Sequence, residues 1–172
     1  LAVPEDVDLA RVLRMADAVA FGRDLVNTPA NDLGPDALET AARGFAERRG
    51  MSFAVTAGDD LLARNFPMIH AVGRASATPP RLVDLSLGDP ALPKVTLVGK
   101  GVTFDTGGLS IKPESAMALM KKDMGGAASA LAAADMIADA GLPVRLRVLL
   151  PIVENAISGS AFRPGDVLAS RK

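Results

Sequence analysis

The 172-residue sequence has no cysteine, no tryptophan and no tyrosine, and only one histidine, His70. Without cysteine there is neither a disulfide nor a thiolate-bound zinc, and a single imidazole excludes a multi-histidine zinc centre. Any metal must therefore be held by carboxylates and other hard donors. No stretch approaches the roughly 18–20 uninterrupted apolar residues of a membrane span. An excess of charge of one sign is also missing: 19 basic against 20 acidic residues leave a formal net charge of -1. Neither nucleic acid nor a membrane surface is an expected partner of such a chain. Apolar residues are what the chain has in quantity, 49% of it, enough for a soluble globular domain with a substantial core.

Hydrophobic periodicity divides the chain into alternating helices and strands. Leu9, Val12, Leu13, Ala16, Val19 and Ala20 recur at helical spacing and predict an amphipathic helix over 9–26. The turn formers of Asn27-Thr-Pro-Ala-Asn-Asp-Leu-Gly-Pro35 break it. A second helix is expected over 36–48, with Leu38, Ala41, Ala42 and Phe45 inward and Gly50 beyond its end. A short strand at Phe53–Thr56, helical turns within 59–75 and a loop at Thr78-Pro-Pro80 follow. Strands are expected at Arg81–Leu87 and Lys94–Gly99, the second of them buried, then a glycine-rich loop. A long Ala-rich helix is predicted over 117–140, turned inward at Met124, Ala127, Ala128, Leu131, Ala134 and Ala138, and ended by Gly141-Leu-Pro143. Val144–Val153 and the start of another strand at Asp166–Ala169 complete an α/β arrangement, a mixed sheet flanked by helices.

The chemistry concentrates in the glycine-rich loop. Lys100 sits between Gly99 and Gly101 beyond an apolar strand, and Asp105 precedes Gly107-Gly108. In open α/β sheets, sites gather past the carboxyl ends of strands, so both side chains are delivered to a cleft edge. Taken alone they are better explained as a solvated lysine and a turn aspartate. Asp123, before Met124-Gly-Gly126, fits a helix N-cap or a second anionic metal ligand. Two carboxylates and a lysine amine near paired glycines favour the divalent ion. Lysine ligates metal only as the neutral amine, a role that needs burial and the ion's own charge. Lys112, extended by Pro113, can stabilise an oxyanion from a rigid loop. His70 is expected in the core or an interface, and Glu154-Asn155 as support for the cleft. Gly99-Lys-Gly101 lacks the spacer and the Lys-Ser/Thr step of a phosphate-binding loop, and Ser110 has no base within the motif.

The segments Val98-Gly-Lys-Gly-Val-Thr-Phe-Asp-Thr-Gly-Gly-Leu-Ser-Ile-Lys-Pro113 and Met117-Ala-Leu-Met-Lys-Lys-Asp-Met-Gly-Gly-Ala-Ala128 closely resemble the leucyl aminopeptidase (cytosol aminopeptidase) family. Asn27–Pro35, Val153-Glu-Asn155 and Arg163-Pro-Gly-Asp166 fit it in the same order. The resemblance implies a Zn-peptidase-like catalytic domain in a cytoplasmic homohexamer that removes N-terminal residues, often leucine, from peptides. It implies two divalent ions, manganese or zinc, with Lys100 ligating one, Asp105 bridging both and Asp123 completing the first shell. Lys112 would polarise the scissile carbonyl, and Met120 would line the pocket for the departing side chain. The two ions would activate water, and one would bind the substrate's free amine.

The family pattern also extends beyond this sequence. Its Asn-Thr-Asp-Ala-Glu-Gly-Arg motif, which brings two further carboxylates and an arginine holding bicarbonate, does not occur here. The chain starts at Leu1 with acidic residues and no basic region leading into an apolar one, so no secretory leader is expected. The expectation is an incomplete catalytic domain: a connecting helix and loop over 1–34, an α/β core over 35–172, and the family's N-terminal domain and later catalytic segments absent. A truncated, catalytically silent relative acting through assembly is the alternative. A nucleic-acid role is remote. If the 172 residues are the whole molecule, they bind metal weakly and hydrolyse a leucine amide poorly even with added manganese; robust turnover by the pure chain would refute this.

Overall fold

The computed structural model describes residue 4, residues 6–159 and residues 163–167. Helix α1 (Leu9–Asn27) begins at the N-cap Asp8, whose carboxylate accepts the Arg11 backbone N–H at 3.0 Å. Helix α2 (Pro35–Arg49) opens on a proline, where no intrahelical N–H is required, and stops at Gly50 with φ 63°. Strand β1 (Ser52–Ala57) leads to two short helices, α3 (Asp60–Ala63) and α4 (Pro67–Gly73). Then come β2 (Arg81–Leu87), β3 (Lys94–Val98) and β4 (Gly101–Asp105). One turn of helix, α5 (Glu114–Met117), a 3-10 turn (Met120–Met124), α6 (Gly125–Asp139) and β5 (Arg145–Asn155) complete the order.

The 11-residue β5 is the axis of the sheet. On one side it pairs antiparallel with β2, which pairs antiparallel with β1. On the other side it pairs parallel with β3 along its first half and with β4 along its second. The sheet is therefore mixed and helix-flanked, as the sequence predicts. Leu38, Ala42 and Phe45 of α2 and Met124, Ala127, Leu131 and Ala134 bury against Val83, Leu85, Leu146, Val148, Leu150 and Ile152 on one sheet face. Arg49 fastens the two helices together, reaching Asp135 at 2.5 Å and Asp139 at 3.3 Å.

Five expectations change. The apolar row of α1 faces outward: Leu9, Val12, Leu13 and Val19 are exposed, and Ala18 and Leu25 are the buried residues. The helix has two apolar faces, and periodicity reports a face without saying which one meets the core. The segment 101–105 is a strand instead of part of a loop. β3 is an outer strand of alternating exposure, so Val98 is exposed instead of buried. The long helix is broken into α5, the 3-10 turn and α6. Asp166 and Val167 form no strand, and 168–169 lie outside the described residues.

The break between β3 and β4 has a specific cause. Gly99 donates its N–H to Leu149 O at 3.0 Å, so odd-numbered residues of β5 turn their polar groups toward β3 and β4. Pro151 is the next on that side and has no N–H to give. The register runs Val98↔Leu149 and resumes at Gly101↔Ile152, leaving Lys100 out of the ladder. The start of α6 closes over the gap, where Ala127 N–H donates to Lys100 O at 2.8 Å. A Cβ on Gly99 would lie 2.7 Å from Ala127 Cα and 2.7 Å from Gly126 O. Gly99→Ala should therefore cost about 1–3 kcal/mol, as overpacking against backbone does. The urea midpoint measures this, and an unchanged midpoint would contradict the packing described.

Candidate active site

Two lysine–carboxylate pairs form where the broken strand, the loop after it and the 3-10 turn converge. Lys100, released from the ladder, extends its amine to Asp123 Oδ1 at 2.7 Å. Its side chain is 60% exposed, so the burial that metal ligation was expected to need is not provided by this chain. Asp123 is mostly shielded, and its Oδ2 is buried with no hydrogen-bond partner among the described residues. The N-cap alternative does not hold, since Asp123 lies inside the 3-10 turn and α6 has no side-chain cap. Lys121 holds that turn in place by donating to Asn27 O at 2.6 Å, at the end of α1.

Asp105 ends β4, and the glycine-rich loop is built around it. Gly107 N–H donates to Asp105 Oδ1 at 2.9 Å and Asn155 Nδ2 donates to the same oxygen at 2.8 Å. Thr106 donates both its N–H, at 3.0 Å, and its hydroxyl, at 2.7 Å, to Asn155 O. Lys112 N–H closes the loop on Thr106 O at 2.9 Å, and Lys112 Nζ returns to Asp105 Oδ2 at 2.9 Å. Gly107 has φ 88°, and a Cβ there would sit 2.3 Å from Ser110 O. Only glycine lets the loop turn back so tightly.

Burial is the largest influence on the Asp105 carboxyl and works against its charge. The Lys112 amine, the Gly107 N–H and the Asn155 amide together outweigh it and hold the group below the ordinary carboxylate range. Met120 is half-buried and stands three residues before Asp123 in the 3-10 turn, a spacing that puts both on one face.

The sequence paired Glu154 with Asn155, but alternation along β5 separates them. Asn155 belongs to the site, whereas Glu154 is buried elsewhere, receiving Arg163 at 2.5 and 2.8 Å and the Ser76 hydroxyl at 3.0 Å. His70 lies on α4 with its Nε2 3.2 Å from Asp59 Oδ1, well shielded but outside the main core. The clamp formed by Thr106 and Gly107 had no advance signal beyond the glycine pair. Two carboxylates and an amine are the donor types a hard divalent cation takes, and among the described residues Asp123 Oδ2 has no hydrogen-bond partner. Among the described residues, no three of His, Cys, Asp and Glu gather in a way that could hold a metal ion. The fit is to part of a coordination shell.

A profile of the cytosol aminopeptidase family, catalytic domain, matches residues 20–172. The chain belongs to the cytosol aminopeptidase family. A probable cytosol aminopeptidase of Syntrophotalea carbinolica is 43% identical over 93% of this chain and 33% of its own length. Peptidase B of Pectobacterium carotovorum is 40% identical over 96% of this chain and 40% of its own. The crystal structure of the Coxiella burnetii cytosol aminopeptidase superposes with a TM-score of 0.84 at 52% identity, covering 91% of this chain and 34% of that one. The bottromycin maturation enzyme BotP in complex with Mn gives a TM-score of 0.83 at 47% identity, over 96% and 36%. The chain thus spans about a third of the length of the cytosol aminopeptidases it matches. Its Lys112–Asp105 pair can be tested directly. Asp105 stabilises the fold above the ordinary carboxylate range, and that contribution is lost as pH falls through its lowered folded-state value. Lys112→Met should raise the Asp105 midpoint in carboxyl carbon NMR titrations; an unmoved midpoint would show that the pair does not set it.

Proposed function

We propose that this chain is the first part of the catalytic domain of a metal-dependent aminopeptidase that releases N-terminal residues, with a leucine-type preference, from peptides. The reading rests on the two lysine–carboxylate pairs, Lys100 with Asp123 and Lys112 with Asp105, and on Asp123 Oδ2, buried without a hydrogen-bond partner among the described residues. Family membership supports it, as do relatives named as aminopeptidases and a Mn complex of one similar enzyme. We assign residues 1–34 to a connecting helix and loop and 35–172 to the α/β core. In this proposal the remaining ligands, and an arginine that would hold bicarbonate, lie outside these 172 residues. A cytosolic setting and a homohexameric assembly belong to the same proposal. Among the described residues no helix is long and apolar enough to cross a membrane.

In this reading Lys100, Asp105 and Asp123 hold divalent ions, manganese or zinc. Such ions supply Lewis acidity and lower the pKa of water toward neutrality. Asn155 and the Gly107 N–H hold one oxygen of the Asp105 carboxylate and leave the second to Lys112. Lys112, on a loop closed at Thr106, is the electrophile: with a substrate present its amine leaves Asp105 for the scissile carbonyl and stabilises the developing oxyanion. Met120, on the face of Asp123, lines the space for the departing side chain.

In the full-length protein, Lys112→Ala should lower kcat/KM for a leucine amide on the order of 100-fold or more while leaving manganese affinity largely intact. Asp123→Ala should lower both. Full turnover by Lys112→Ala, with manganese bound normally, would sink the proposed division of labour.

A further inference from the structure

Three motifs that stand out in the sequence take no direct part in the lysine–carboxylate pairs: Asn27–Pro35, Glu154 and Arg163-Pro-Gly-Asp166. The structure joins them end to end. Near the end of β5 the buried Glu154 accepts two bonds from the Arg163 guanidinium, at 2.5 and 2.8 Å. Asp166 folds the segment 163–167 back on itself, its Oδ2 accepting the Arg163 N–H at 3.0 Å and Nη1 at 3.3 Å. Val167 follows, and one side chain takes both of its backbone polar groups. Asn31 Nδ2 donates to Val167 O at 2.9 Å, and Val167 N–H donates to Asn31 Oδ1 at 3.0 Å. An asparagine amide offers a donor and an acceptor as a peptide group does, so Asn31 pairs with Val167 as a neighbouring strand would.

The loop that carries Asn31 is firmly seated. Ala30, Leu33 and Pro35 are buried, and Pro29 O accepts the N–H groups of Asp32 at 3.0 Å and Leu33 at 2.9 Å. At the start of the loop Lys121 Nζ reaches Asn27 O at 2.6 Å. Asn27 is the last residue of α1, so its carbonyl has no partner within the helix and lies at the negative end of the helix dipole. The last turn of α1 contains no basic residue, and Lys121 supplies that cation from outside. Lys121 stands two residues before Asp123 in the 3-10 turn, a turn without a side-chain cap and with the poorer hydrogen bonds of its type. The contacts thus run in one line from Glu154 to the turn of Asp123. Asn155, the neighbour of Glu154 on β5, holds Asp105 at 2.8 Å.

We propose that Asn31 and Lys121 are positioning residues of the active site. Through the loop 27–35 they strap the turn of Asp123 to the end of β5 that holds Asp105, and so fix the spacing of the two carboxylates. The role rests on the metallopeptidase reading, because the spacing matters where both acids serve one cation site. It goes beyond that reading in giving the motifs outside the site a task, which is to hold the two acids in register before any ion arrives.

The test uses the full-length protein and the two links nearest the surface. Arg163 is left intact, since its loss would strand Glu154 as a buried charge without a partner. In metal-free protein, Asn31→Ala should speed amide hydrogen exchange several-fold across 119–125, and Lys121→Met should do the same across 163–167, with exchange in β2 unchanged. Each variant should lower manganese affinity about tenfold or more, as loss of groups that orient metal ligands does. Lys121→Arg, which can still donate to Asn27 O, should restore it. The double variant should bind no more weakly than the weaker single variant, because one broken link already frees the strap. Val83→Ala, in the core, should lower the urea midpoint and leave manganese affinity unchanged. Exchange across 119–125 that ignores Asn31→Ala would overturn the strap, whether or not metal binds. Additive losses that follow the urea midpoint, or variants that bind manganese as the parent does, would overturn the positioning role alone. A parent protein that binds no manganese would overturn the peptidase reading and the positioning role with it.

Discussion

The site depends on one interruption in a parallel strand pair. β5 presents Pro151 where its neighbour needs a donor, and the neighbouring strand answers by leaving the ladder between Val98 and Gly101. The residue expelled is Lys100. The same gap lets the first turn of α6 settle onto the sheet, where the Lys100 carbonyl accepts the Ala127 N–H. Gly99 and Gly126 permit the approach, since a Cβ at either would meet backbone within 3 Å, and Gly101 lets β4 close on the Pro151 carbonyl of β5 in the same way. One missing N–H thus frees a lysine side chain, docks a helix and brings the 3-10 turn with Asp123 beside it.

Electrostatics then completes what the backbone begins. Each carboxylate of the site is matched by a lysine amine, Lys100 with Asp123 and Lys112 with Asp105. For Asp105 the Lys112 amine, the Gly107 N–H and the Asn155 amide outweigh the burial that opposes its charge and hold it ionised, the form a divalent cation requires. The lysines are arranged unequally. Lys112 is returned to Asp105 by a loop whose ends are hydrogen-bonded, while Lys100 extends from a rigid backbone with most of its length in solvent.

Much of this was legible in the chain, and the misreadings share a cause. Lys100, Asp105, Lys112 and Asp123 stood out because charged residues among paired glycines after an apolar strand are uncommon except at sites. Helix α2, β1 and β2 followed from local pattern and punctuation. Strand β4 was hidden because Gly101, Gly107 and Gly108 surround a Val-Thr-Phe core that otherwise has strand character. The break before α6 was hidden because Met, Ala, Leu and Lys all favour helix. The deviation is imposed from outside, by the Lys121 bond to Asn27 O and by docking on Lys100. For α1 the periodicity was real but the direction was reversed, because the packing of small residues such as Gly22 against Ala132 fixed the inward face. Local sequence cannot report contacts between segments that lie far apart in the chain.

We propose that the strand interruption puts Lys100 and Asp123 at a cation site shared with Asp105. A manganese anomalous difference map from crystals of this protein soaked in excess Mn2+ tests it most directly. The account predicts a peak in contact with the Asp105 and Asp123 carboxylates, with Asp123 Oδ2 among the ligands. Manganese bound only elsewhere on the surface, with both lysine–carboxylate pairs undisturbed, would contradict it.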